Sequence, residues 1–92
     1  LPWNDKYTNR PVKIPIDNII KIFANDNSQI FVCTSDDCFV AGTNMCGLLG
    51  INDRSIRHQT TFVKVDWYPI KMIFEGWITE IKMKDGKWYG IG

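Results

Sequence analysis

The sequence is short of the residues that build metal sites and disulfide frameworks. It has one histidine, His58, and three cysteines, Cys33, Cys38 and Cys46, with no C-x-x-C pair among them. A structural zinc site usually takes four closely spaced cysteine or histidine ligands, so we expect no metal. An odd cysteine count, with two of the thiols in apolar runs, is typical of buried reduced thiols. Reduced thiols indicate an intracellular location, either the cytoplasm or the nucleus.

Long apolar runs and an excess of charge of one sign are also missing. No apolar stretch approaches the roughly 18 residues of a membrane-spanning helix, and the first residues lack the pattern of a signal peptide, so we expect no membrane association. Eleven Lys and Arg residues balance ten Asp and Glu residues, giving a net charge of +1. The two signs are interspersed along the chain. Nucleic acid is therefore an unlikely partner by this criterion.

The sequence offers little to an enzyme. It contains neither G-x-x-x-x-G-K-[ST] nor G-x-G-x-x-G, the two glycine-rich phosphate-binding patterns. The carboxylate pairs Asp36 with Asp37 and Glu75 with Glu80 have no neighbouring nucleophile or apolar pocket, and are interpreted as solvated turn and strand residues. A dyad of Cys38 with His58 was considered, but Cys38 opens an apolar strand. We expect no catalytic residues and no cofactor.

What the chain does have is a series of short strand-like runs. Hydrophobic residues make up 45% of the sequence and aromatic residues 13%, which is too apolar for a disordered tail. Runs rich in β-branched and aromatic residues alternate with polar turn clusters, and no segment has a persuasive helical pattern. The fold class is predicted to be all-β. The predicted strands cover residues 19–23, 29–34, 38–41, 61–65, 70–74 and 78–83, a final turn and strand cover 85–92, and a polar loop covers 52–60.

A weak internal repeat connects these strands. Residues 35–42 align with 85–92, fifty positions later, and residues 20–23 align with 70–73 at the same spacing. Residues 12–14 align with 63–65 to within one position. We predict a first repeat over 1–50 and a second over 51–92, each with about four short strands. Antiparallel four-strand units repeated at this spacing are typical of β-propeller blades, and one such unit must stack on a neighbour to bury its apolar face.

The segment 42–50 carries the most specific pattern in the chain. Its glycines permit positive φ or close backbone approach, Asn44 can bond its own backbone in a turn, and Leu49 supplies an apolar plug. This segment, Gly-Thr-Asn-Met-Cys-Gly-Leu-Leu-Gly, closely resembles the G-x-N-x-x-G-Q-L-G signature of the regulator of chromosome condensation repeat family. The matching positions are Gly42, Asn44, Gly47, Leu49 and Gly50.

The resemblance implies a seven-bladed propeller, of which this chain would hold about two divergent blades. In the family pattern residues 11–14 would open the first blade as a strand. Asn25, Ser28 and Leu48 depart from the glycine, histidine and glutamine that the family favours. The second repeat stops before its own signature loop, and two blades would leave open strand edges. We therefore expect a fragment of a longer protein, or assembly with other copies or other chains.

Two functions follow from the resemblance. The first is a protein–protein interaction module within a larger regulatory or scaffolding protein. The alternative is guanine-nucleotide exchange on a Ran-like small GTPase, which deforms the nucleotide site without side-chain chemistry. Aromatic residues and Arg are enriched in interface hot spots, although aromatic residues placed as Trp67 and Tyr68 are, before Pro69, more often cover the edge of a sheet. The candidate partner-binding residues are Asn52, Asp53, Arg54, Arg57, His58, Trp67 and Tyr68, with Trp3 and Tyr7 as further aromatic residues beside loops.

Overall fold

Seven strands form two antiparallel sheets in the computed structural model, which describes residues 10–26, 28–44, 47, 49–53 and 55–92. No helix occurs among these residues, and the prediction of an all-β fold is confirmed. Within the same residues, nothing helical is long and apolar enough to cross a membrane. Sheet 1 has the order β1-β2-β3-β4 and sheet 2 the order β5-β6-β7. The strands are β1 Lys21–Ala24, β2 Gln29–Cys33, β3 Cys38–Thr43, β4 His58–Val65, β5 Pro69–Glu75, β6 Ile78–Met83 and β7 Trp88–Ile91.

The tight turn between β2 and β3 is built from side chains that bond the local backbone. The Thr34 amide donates to the Asp37 carbonyl at 2.9 Å, leaving a two-residue loop at 35–36. The Thr34 hydroxyl oxygen accepts the amides of Asp36 and Asp37 at 3.3 and 3.1 Å. Ser and Thr hydroxyls stabilise turns in this way, and they fix the register of the hairpin.

The partner of β4 differs from the sequence-based division into repeats. The segment 61–65 was assigned to the second repeat, yet β4 pairs with β3, and Val40 lies opposite Val63. The strand also begins earlier than predicted, at His58, so residues 58–60 belong to it and not to the polar loop. The sheets therefore divide the chain between Val65 and Pro69.

The predicted strand over 11–14 is wrong, because no strand precedes Lys21 in the described residues. Pro11 and Pro15 bracket this segment, and neither has an amide hydrogen to donate to a neighbouring strand. Its described backbone bond is local, from the Ile16 amide to the Ile14 carbonyl at 2.8 Å. Prolines often stand at the first position of a strand, but Pro11 lies in an irregular, mostly exposed segment.

The strands of sheet 2 repeat those of β1, β2 and β3 in order and in pairing. The row Ile22, Val32 and Phe39 across sheet 1 corresponds to the row Met72, Ile81 and Tyr89 across sheet 2, at spacings of 50, 49 and 50 residues. The neighbouring row Phe23, Phe31 and Val40 corresponds in the same way to Ile73, Glu80 and Gly90. The repeat detected in the sequence therefore coincides with a repeat of strand pairing.

The core lies between unlike faces of the two sheets. Sheet 1 contributes Phe31 and Val40 to the buried cluster, whereas sheet 2 contributes Met72 and Ile81. Since Ile81 corresponds to Val32 and not to Phe31, the sheets do not meet through equivalent faces. The sheets therefore stack front to back, with the Phe31 face of sheet 1 against the Ile81 face of sheet 2. The second face of each sheet points away from the other sheet.

Aromatic side chains and one loop residue fill the space between the sheets. The Phe31 ring is fully buried and stacks on Phe74 with centroids 5.8 Å apart, and Trp67 lies 6.1 Å from it. Leu49 inserts from the segment 42–50 and is also fully buried. Burial of a side chain of this size contributes about 1.5–3 kcal/mol to folding stability, so Leu49 anchors its loop to the core.

Candidate functional site

The segment 42–50, called the signature loop below, has a backbone that favours glycine at three places. Gly42, Gly47 and Gly50 have φ angles of 115°, 72° and 69°. At Gly42 the neighbouring chain also approaches closely, since an added Cβ atom would lie 1.8 Å from the Ser28 carbonyl oxygen. At Gly50 an added Cβ atom would lie 2.8 Å from Ile91 and 2.9 Å from the Trp67 ring. The loop can therefore pass tightly against both sheets.

Asn44 joins the signature loop to the segment that follows it. Its side-chain oxygen accepts the Leu49 amide at 3.1 Å. Its side-chain nitrogen donates to the carbonyls of Asp53 and Ile56 at 2.8 and 2.7 Å. Its backbone amide donates to the Arg57 carbonyl at 2.9 Å. This buried residue thereby fixes the position of the candidate partner-binding loop.

Four of the five predicted polar loop residues are described, and all four are exposed; Arg54 lies outside the described residues. The Asp53 carboxylate accepts the Ser55 hydroxyl and amide at 2.5 and 2.9 Å, and these bonds lower the pKa of Asp53. Asn52 has a φ angle of 58° and lies beside Asp53. His58 stands opposite Thr43 at the start of β4. Only Asn52 and Asp53 reach the groove described next.

A groove of about 670 Å³ runs between this loop and the outer part of sheet 2. Its lining includes Asn52 and Asp53 of the loop, and Tyr89 and Ile91 of β7. Trp67, Ile81 and Met83 also line it. The structure thus brings three predicted partner-binding residues, Asn52, Asp53 and Trp67, to one concave surface. Arg57 and His58 lie elsewhere.

Trp67 and Tyr68 are both bonded to the backbone of sheet 1 or its loops. The Trp67 ring nitrogen donates to the Gly50 carbonyl at 3.0 Å. The Tyr68 hydroxyl donates to the Thr34 carbonyl, and the ammonium groups of Lys21 and Lys84 lie 4.7 and 4.0 Å from its ring centroid. Both aromatic residues therefore have packing roles, and Trp67 lines the groove as well. Trp3 and Tyr7 lie outside the described residues.

The sequence predicts open strand edges but does not indicate which strand forms such an edge. Among the described residues, β7 is an edge strand of sheet 2. The Met83 amide donates to the Lys87 carbonyl at 3.0 Å, and hydrogen-bonded pairs alternate along antiparallel strands. Tyr89 and Ile91 therefore direct their backbone groups to β6, whereas Trp88 and Gly90 direct theirs away from it.

The groove can be described by the chemical groups that line it. Within the described part of the chain, no three His, Cys, Asp or Glu side chains are grouped closely enough to hold a metal ion. The groove lining combines apolar side chains with the Asp53 carboxylate, and it borders β7, whose outer edge has no paired strand among the described residues.

No protein-family model, curated protein or solved structure matches this chain.

Proposed function

We propose that this chain is a protein–protein interaction module formed by two consecutive blades of a β-propeller like that of the regulator of chromosome condensation repeat family, within a larger regulatory or scaffolding protein. Front-to-back stacking supports this proposal, because it leaves each sheet an unlike face for a further neighbour. Non-equivalent contacts of this kind can be repeated around a ring. The signature loop, with its three glycines at positive φ, supports the family assignment.

The observation that carries the binding function is the free edge of β7. In sheet 1 the corresponding strand, β3, is covered on that side by β4, with Thr43 opposite His58. Among the described residues β7 has β6 as its one neighbour. The module binds its partner by accepting an extended segment at this edge. Backbone bonds to Trp88 and Gly90 provide affinity, and side chains entering the groove provide specificity.

The groove also constrains which segment fits. Alternate side chains of an incoming strand would face Ile81, Ile91 and the Trp67 ring, so apolar residues are favoured there. At the rim, the Asp53 carboxylate favours a Lys or Arg. The β4 sequence, which ends in the apolar and basic residues Val63, Lys64 and Val65, is the natural probe because β4 covers the equivalent edge of sheet 1.

The test is an NMR titration of the labelled 92-residue chain with a synthetic peptide of residues 58–65. We expect chemical-shift changes and added exchange protection at the amides of Trp88 and Gly90. Gly90→Pro removes the outward amide without removing a bond to β6, and is expected to abolish binding. Gly90→Ala keeps that amide and meets nothing within 4 Å, so it is the matched control.

A scrambled peptide of the same composition tests whether the strand pattern matters. Absence of any change at β7 with millimolar peptide would overturn the proposed docking edge. Equal binding by Gly90→Pro and Gly90→Ala would overturn the backbone-pairing mechanism, provided that both variants retain the wild-type far-ultraviolet circular dichroism.

A further inference from the structure

Cys33 and Cys38 occupy opposite positions on β2 and β3, next to the tight turn. The bond from the Thr34 amide to the Asp37 carbonyl makes that pair a hydrogen-bonded one. Because the two types of pair alternate, Cys33 and Cys38 form a non-hydrogen-bonded pair, whose Cα atoms are typically about 4.5 Å apart. Disulfides span Cα separations of about 4.4 to 6.8 Å. Strand pairing therefore places these two cysteines at positions that a disulfide can bridge.

Positive charge and an aromatic ring surround this thiol pair. Lys21 is the partner of Cys33 on β1, so its side chain lies on the same face of the sheet. Lys84 and Lys21 both lie against the Tyr68 ring. The hydrogen bond from Cys38, aided by Lys21 and Lys84, lowers the pKa of the Cys33 thiol despite its burial. The same bond, together with burial, raises the pKa of Cys38.

We propose that Cys33 and Cys38 are a peroxide-sensitive thiol pair that closes into a reversible disulfide across β2 and β3. The Cys33 thiolate attacks one oxygen of hydrogen peroxide, the O–O bond breaks, and the departing hydroxide takes up a proton to become water. Cys33 is then a sulfenic acid. The Cys38 sulfur attacks the Cys33 sulfur, the S–S bond forms, the S–O bond breaks, and a second water leaves with the Cys38 proton. The two sulfur atoms supply the two electrons that reduce the peroxide.

Burial selects the oxidant. Cys33 is 0% exposed and Cys38 is 1% exposed, so a small neutral peroxide has better access than a bulky disulfide. The pair is accordingly a thiol pair under reducing conditions and a disulfide under peroxide stress.

The test uses Cys46→Ser in the 92-residue chain, which leaves only the two thiols in question. Folded protein is treated with hydrogen peroxide, and its intact mass and free thiols are measured. We expect a loss of mass equal to two hydrogen atoms and the loss of both thiols, reversed by dithiothreitol. Adding Cys33→Ser or Cys38→Ser is expected to abolish the mass loss. Lys21→Met is expected to slow it several-fold while preserving the fold.

The wild-type chain provides a second measurement that does not depend on the Cys46 variant. Cleavage before aspartate residues separates Cys33 from Cys38, and cleavage after Phe39 separates Cys38 from Cys46. A bond between Cys33 and Cys38 then appears as two linked peptides that lack Cys46 and that reduction separates. Two outcomes would overturn the proposal. In the first, the folded chain keeps both thiols in conditions that oxidise the urea-unfolded chain. In the second, oxygen is added to the sulfurs with no cross-link.

Discussion

Asn44 accepts the buried amide of Leu49 at 3.1 Å, and so joins the turn that begins at Gly42 to the side chain that plugs the core. The same side chain donates to two carbonyls in the following loop. One amide group therefore holds a core contact and a surface loop in a fixed relation. The position of Asn52 and Asp53 at the groove depends on this relation.

Asn44→Ala should destabilise the fold more than removal of an exposed asparagine. The change leaves one buried amide and two carbonyls without their partner, and each such loss costs about 1–3 kcal/mol, so a total of about 3 kcal/mol or more is expected. Urea unfolding followed by tryptophan fluorescence measures it. Asn52→Gly, at an exposed position with positive φ, is the control and should change stability by under about 0.5 kcal/mol. Equal losses in both variants would contradict the role given to Asn44.

Asn44→Asp separates the acceptor from the donors. The introduced carboxylate can still accept the Leu49 amide, but it faces the carbonyl oxygens of Asp53 and Ile56 and can donate to neither. Protonation of the introduced carboxyl group restores one hydrogen-bond donor to these carbonyls. Because burial and the carbonyl oxygens both disfavour the charged form, the pKa of this carboxyl group should be raised. Its raised pKa means that the variant loses stability relative to wild type as pH rises through that value. Paired urea titrations at pH 4 and pH 7 measure this, and an unchanged difference between variant and wild type would contradict it.

Gly42→Ala tests the close backbone approach between β3 and β2. The added Cβ atom would overlap the Ser28 carbonyl oxygen, and φ at this position is 115°, which residues with side chains rarely adopt. We expect a loss above about 3 kcal/mol or failure to fold. Gly90→Ala adds the same atom in open space, and should be within about 0.5 kcal/mol of wild type. Comparable thermal unfolding of the two variants would show that the overlap relaxes at little cost.

Local chemistry explains which parts of the fold the sequence revealed. In the strand over 78–83 the apolar residues Ile81 and Met83 alternate with charged residues, a pattern typical of a strand with one solvated face, and burial alternates at Thr79 and Ile81. The apolar run of β2 is continuous, which is typical of burial on both faces, and Phe31, Val32 and Cys33 are all 0% exposed. These features depend on neighbours in sequence. The positive φ expected at Gly42 and Gly47 is also a local property, set by the turn.

Pairing between distant strands explains what was missed. The partner of β4 is decided across the connection 44–57, where no local pattern specifies which sheet the strand joins. The free edge of β7 among the described residues follows from its correspondence to β3, which has β4 as a second neighbour. This correspondence is a property of strand pairing and not of the local sequence. The sequence grouped Asn52, Arg57 and His58 as one loop, but strand pairing places His58 in β4 and away from the groove. Guanine-nucleotide exchange stays a prediction from the resemblance.

Trp67→Phe should weaken the junction between the signature loop and the core. It removes the bond from the ring nitrogen to the Gly50 carbonyl and part of the contact with Phe31. A loss of about 1–3 kcal/mol is expected, combining a buried acceptor left unpaired with lost packing. Trp77→Phe is the matched control, because Trp77 is 63% exposed in the turn between β5 and β6. A loss for Trp77→Phe as large as that for Trp67→Phe would contradict the packing role.

Asp85 and Tyr89 form a hydrogen-bonded pair, and Tyr89 lines the groove. The Tyr89 hydroxyl donates to the Asp85 carboxylate at 2.6 Å, and this bond, followed by the Lys87 amide, lowers the pKa of Asp85. A lowered pKa in the folded state stabilises the protein above the usual carboxyl value of about 4, and this contribution is lost as pH falls through the folded value. The same bond raises the pKa of Tyr89.

Tyr89→Phe should therefore move the pKa of Asp85 part of the way back toward its usual value, since the Lys87 amide still bonds the carboxylate at 2.8 Å. Carbon-detected NMR of the carboxyl groups between pH 2 and pH 6 measures the shift. The pKa of Asp53, which is lowered by Ser55, is the internal control and should not change. In the reciprocal variant, Asp85→Asn, the pKa of Tyr89 should fall toward its usual value. An Asp85 pKa unaffected by Tyr89→Phe would mean that the hydroxyl does not hold the Tyr89 ring at the groove, and that the ring is free to move when a strand docks at β7.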